Sequence, residues 1–82
     1  MSFGESLRAA RKAAGKSQGD LAKALGVSVA YVSETERDRR GAMTVERIEA
    51  LRALGLDVEA MLRAAIEYRA GDYMRALKGG AS

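Results

Sequence analysis

The chain has no cysteine and no histidine. Without thiols there is no disulfide staple, no zinc finger and no thiol nucleophile; without imidazole there is no histidine acid, base or metal ligand. No metal or cofactor is expected, and a reducing cytoplasm is compatible with the composition. Apolar stretches are interrupted by charge every few residues, so neither a membrane span nor a signal peptide is expected. Strand-like alternation, internal repeats and low-complexity segments are missing as well, which leaves an all-α domain, soluble and placed in the cytoplasm.

What is present fits one small domain. Eighty-two residues bury only about 60–65% of the unfolded surface, so the core is modest and dimerisation would add to it. The 14 basic and 11 acidic residues give a net charge of +3. Residues 1–40 hold eight of the basic residues and five of the acidic ones, whereas residues 41–82 hold six of each. The positive excess therefore lies in the first half, as a phosphate-facing surface requires, although a featureless basic surface would look similar.

That half contains the most informative stretch, residues 17–36. Ser17 caps a helix over 18–25 whose inward stripe is Leu21, Ala22 and Leu25, with Ala22 small enough for a close crossing. Gly26 ends it in a left-handed turn, Val27 fills the corner, and Ser28 caps a second helix over 29–37 with Val32, Thr35 and Glu36 inward. Val29, Ala30, Ser33, Glu34 and Arg37 are left facing outward. This layout is a helix-turn-helix, the device that sets a helix in the DNA major groove.

The remaining helices follow from caps and periodicity. Ser2 and Glu5 have capping-box spacing ahead of Phe3, Leu7, Ala10 and Ala14, which predicts a first helix ending at Gly15. A loop over 38–43 leads to Thr44, which caps a fourth helix with spine Val45, Ile48, Leu51 and Leu54, closed by Gly55. Asp57 caps a fifth, with Val58, Met61, Leu62, Ala65 and Ile66 as its stripe, running to about residue 69. Gly71 and Asp72 are expected to interrupt it, 73–78 to resume as a short extension helix, and the Gly-Gly-Ala-Ser tail to be disordered. The predicted division is a five-helix domain over 1–70 and an extension over 71–82.

With Arg11, the Ser17-Gln18 cap and the inward Glu36 in place, the chain resembles the phage repressor and Cro family of DNA-binding domains over residues 5–62. The resemblance implies a compact repressor-like fold in which Gln18 contacts a phosphate, Ser28, Val29, Ala30, Ser33 and Glu34 face base edges, and Arg11 pairs with Glu36. Three positions depart from the family pattern. Gly19 stands where Ala would favour the helix by about 1 kcal/mol. Thr35 replaces an aliphatic residue, and its hydroxyl is expected to bond the carbonyl four residues back. Asp38 replaces a turn glycine and tolerates left-handed backbone less well, which bears on the loop carrying Arg39 and Arg40.

The candidate phosphate contacts are Lys16, Ser17, Gln18, Lys23, Tyr31, Arg39 and Arg40; each charge singly is equally a solvated surface group, but together they imply steep salt dependence. Arg37 either reads guanine or touches the backbone. Glu34 accepts from cytosine N4, orients Arg37, or sits at the groove rim. Sparse base reading leaves a share of specificity to DNA shape. Ile66, Tyr68, Tyr73, Met74 and Leu77 form a second apolar patch suited to a homodimer, unless the segment folds back on its own monomer.

Three functions follow. The first is a homodimeric repressor on a palindromic operator, of phage type or a restriction-modification controller. The second is an antitoxin-like module whose C-terminal segment engages a partner protein. The third, an enzyme built on the i, i+3 carboxylates Glu46 and Glu49, lacks any accompanying pocket constellation, so no catalytic activity is expected.

Overall fold

Local capping chemistry sets where the helices begin. In the computed structural model, which describes residues 1–80, α1 (Phe3–Ala13), α2 (Gln18–Leu25), α3 (Val29–Glu36), α4 (Val45–Ala50) and α5 (Val58–Gly80) are joined by short turns, with a 3-10 turn at Leu51–Leu54. No strand occurs among the described residues. The Ser2 hydroxyl accepts from the Glu5 amide at 3.1 Å, and Glu5 accepts in return from the Ser2 amide at 3.0 Å. Ser17 and Asp20 close a second such box. Gly26 adopts φ 68°, and the Val27 amide then reaches back to the Ala22 carbonyl at 3.0 Å, locking the turn between α2 and α3.

Burial follows the stripes. Leu7, Leu21, Val32, Ile48, Leu51 and Met61 are inaccessible and form one core, with Ala22 at the close approach of α2 to its neighbours. Met43, at the end of the expected loop, turns into this core at 2% exposure. α5 packs on α1 and α4 and closes the domain.

Four expectations are corrected. The fourth helix is α-helical only to Ala50 before tightening to 3-10 geometry, and its first spine residue, Val45, is 53% exposed. Arg37 is the C-cap of α3 rather than part of it. Most substantially, α5 is unbroken through Gly71 and Asp72. A helical glycine costs about 1 kcal/mol, a penalty that Ala70, Met74, Arg75, Ala76, Leu77 and Lys78 outweigh as strong helix formers. Asp72 and Arg75 add an i, i+3 ion pair across the expected break. Gly79 and Gly80 are likewise helical, which corrects the expected disorder there; the expectation for Ala81 and Ser82 lies outside the described residues.

Candidate nucleic-acid interface

The scaffold under α3 is an ion pair. Arg11 on α1 donates from Nε to Glu36 Oε2 at 2.6 Å and from Nη2 to Oε1 at 3.1 Å, while its Nη1 holds the Lys16 carbonyl at 3.0 Å. The two side chains are 12% and 4% exposed, so the expected structural pair exists and is buried. Gln18 joins it, donating from Nε2 to Glu36 Oε1 at 3.1 Å. Burial pushes the Glu36 carboxyl up, but the hydrogen bonds from Arg11 and Gln18 outweigh it and hold its pKa below the usual carboxylate range. Gln18 is thus tied at the head of α2 by a carboxylate that also fixes α1 to α3.

α3 stands outward from this base. Ser28 accepts from the Tyr31 amide at 3.1 Å, and the Thr35 hydroxyl donates to the Tyr31 carbonyl at 2.7 Å, satisfying a polar group that is 1% exposed. Ser28, Val29, Ala30 and Arg37 are exposed and Ser33 is half-buried at the rim. A cleft of about 210 Å³ runs between α1, α2 and α3, lined by Arg8, Arg11, Gln18, Ser33, Glu36 and Arg37. Arg8 was not singled out from the sequence. Its place on α1 one turn before Arg11 is the signal that would have found it.

The loop after α3 is held by an unexpected device. Asp38 does adopt left-handed backbone, φ 59°. Its carboxylate compensates by accepting from the Gly4 amide at 2.9 Å and the Ser2 hydroxyl at 2.7 Å, capping α1 from 34 residues away. Gly4 permits this because α1 abuts the end of α3: a Cβ there would lie 2.5 Å from the Thr35 carbonyl oxygen and 2.7 Å from that of Glu36. From the other side, Tyr68 lies against Gly41 and Arg69 donates to the Met43 carbonyl at 2.9 Å. The loop presenting Arg39 and Arg40 is pinned at both ends.

Glu34 is bonded to Arg40 Nε at 3.1 Å, not to Arg37. The Arg40 guanidinium also stacks over the Tyr31 ring, 4.7 Å from its centroid. Lys16, Ser17 and Lys23 lie at the ends of α2, with Lys16 half-buried and the other two exposed.

The profile of the helix-turn-helix domain family matches residues 2–65, most of the chain, and its span coincides with the capped α1 through the packed part of α5. The chain belongs to that family. No curated protein and no solved structure matches it. Beyond the helix-turn-helix span, α5 exposes Ile66, Tyr73, Met74 and Leu77, whereas Tyr68 is turned to the opposite side of the helix and packs on its own monomer. Of the five residues expected in an apolar patch, four share a face. Among the described residues no group of three or more acidic side chains is placed to hold a metal ion, and no helix is long and apolar enough to cross a membrane. Glu49 pairs with Arg52 at 3.0 Å, and Glu46 is exposed.

Proposed function

We propose that this helix-turn-helix protein is a cytoplasmic, sequence-specific DNA-binding transcriptional regulator, acting as a repressor, with α3 in the major groove of a palindromic operator. The observation that carries the reading is the outward face of α3. Among the described residues Val29, Ala30 and Ser33 enter no side-chain hydrogen bond or ion pair, Arg8 and Arg37 line the cleft beside Ser33, and Lys23, Arg39 and Arg40 are exposed on the adjoining α2 and loop. Small side chains admit the helix to the groove, and the flanking cations neutralise phosphates on its walls. Gln18 and Ser17 stand where α2 meets the backbone, and no catalytic step is part of the proposal.

A homodimer through Ile66, Tyr73, Met74 and Leu77 would present two recognition helices to half-sites about one helical turn apart. The test is salt-titrated retention of a random-sequence duplex pool, followed by sequencing. An enriched inverted repeat with half-sites about 10 base pairs apart supports the full reading. Salt-sensitive retention without enrichment reduces it to generic phosphate binding, and no retention defeats it. Sedimentation that finds only monomer at high concentration removes the dimer.

A second reading, an antitoxin-like module, is favoured by one observation: the apolar face of α5 extends past the core, with Tyr73 73% and Leu77 69% exposed. In that case the face covers a partner protein instead of a second copy, and the duplex pool is not retained.

A further inference from the structure

We infer that Arg47, a residue outside the helix-turn-helix itself, joins Arg40 and the Tyr31 hydroxyl in a cradle that grips one backbone phosphate of the duplex. The inference rests on the DNA-binding reading and adds to it a gripping residue on α4.

Three elements meet at Tyr31. Its ring is half-buried and packs against the hydrophobic core, so its position is fixed by the fold. Arg40, from the loop after α3, stacks over the ring, and Arg47, from α4, places its guanidinium 5.0 Å from the same centroid. Arg47 also donates from Nη1 to the Tyr31 hydroxyl at 2.9 Å. A guanidinium lying on an aromatic face keeps its in-plane N–H donors pointing away from the ring, and the stacking removes much of the side-chain freedom that phosphate binding would otherwise have to restrict. The hydroxyl that accepts from Arg47 retains its own proton to donate.

The charge at this site favours an anion. Two cations share one ring, and Glu34, which hydrogen-bonds Arg40 through Nε, is the single carboxylate paired with either; Arg47 has no acidic partner among the described residues. The cluster therefore carries one uncompensated positive charge, the complement of one phosphodiester. Its two non-bridging oxygens suit two guanidinium forks, one oxygen to each.

Position agrees. Successive residues of a helix turn by about 100°, which puts Glu34 between the outward face of Val29, Ala30 and Ser33 and the flank occupied by Tyr31. With that face on the base edges, Tyr31 and its two arginines lie where the wall of the groove passes.

The test is fluorescence anisotropy on the full chain with two labelled duplexes, a random-sequence pool and any sequence it yields on selection, across a salt series. Arg47→Ala is expected to bind both about five- to tenfold more weakly at moderate salt and to lower the slope of log K against log salt by about 1. The preference between the two duplexes should stay unchanged. Arg47→Lys should restore the slope but not the whole affinity, because a flexible ammonium replaces the stacked fork. Wild-type affinity and slope in Arg47→Ala would overturn the cradle and leave the DNA-binding reading standing. A changed duplex preference with an unchanged slope would overturn it too, by making Arg47 a base reader. Absence of salt-sensitive binding by the wild-type chain would overturn both.

Discussion

Arg11→Ala probes the joint on which α3 rests. The substitution deletes three hydrogen bonds, two to Glu36 and one to the Lys16 carbonyl, and leaves a carboxylate that is 4% exposed with the Gln18 amide as its remaining donor. Breaking a buried pair from one side costs about 3–5 kcal/mol, and the surviving amide places this case near 3 kcal/mol. A domain of this size is stable by about 5–10 kcal/mol, so roughly a third to three-fifths of the total is lost. The melting temperature should drop by about 12–24 °C, at 4–8 °C per kcal/mol. Urea unfolding followed by helical circular dichroism measures the free energy directly, with an unchanged m-value certifying that the two states compared are the same. Removing both charges, as Arg11→Met with Glu36→Leu, should recover most of the loss because no charge is stranded. A cost below about 1 kcal/mol for Arg11→Ala would refute the reasoning, since the pair would then be worth no more than one on the surface.

Other consequences are equally concrete. Gly4→Ala drives a methyl into the backbone carbonyls of Thr35 and Glu36 and should destabilise by about 2–3 kcal/mol in the same urea assay. Gly71→Ala meets nothing closer than the flexible end of Arg75 at 3.5 Å and should stabilise by about 0.5–1 kcal/mol, visible as a higher melting temperature. Asp38→Ala loses the cap on α1 while keeping left-handed backbone, an expected cost of about 2 kcal/mol; equal stability of Asp38→Ala and wild type would show the cap to be idle. Acid should weaken the fold through four carboxyls with depressed pKa: Glu5, by its bond from the Ser2 amide; Asp20, by that from the Ser17 amide; Glu49, by that from Arg52; and Glu36, where the bonds from Arg11 and Gln18 overcome burial. Depressed acids stabilise the fold above their unfolded pKa, so melting temperature should hold above about pH 5 and fall below about pH 4, and a plateau persisting to about pH 2 would contradict the assignment.

What the sequence disclosed and what it concealed divide by the range of the interaction. The bounds of α2 and the start of α3 depend on Ser17, Gly26 and Ser28, whose capping partners lie within four residues, so spacing alone located them. The bond from Thr35 to the Tyr31 carbonyl was foreseeable for the same reason. Asp38 looked like a misfit because its role is discharged at Ser2 and Gly4, and no local pattern connects those positions. Gln18 is bonded to Glu36, an attachment that only folding brings within reach. Arg47 was not singled out, since its partner, Tyr31, stands 16 residues earlier. The misjudged break at Gly71 has a different origin: one poor helix former was weighed above the good ones on either side of it.

The outward face of α3 has a consequence for how such a chain can change. Ser28 is committed to a cap and Glu34 to Arg40, whereas Val29 and Ala30 are exposed and, like Ser33 at the edge of the cleft, enter no side-chain hydrogen bond or ion pair among the described residues. Substitutions at these three sites alter the surface offered to a duplex while the core, the caps and the buried ion pair stay as they are. If α3 reads DNA as proposed, address would rest largely on residues other than those that hold the fold. On that reading a lineage could drift to a new target through single replacements at Val29 and Ala30 with little change to the core, and an engineer could re-aim the domain at the same positions.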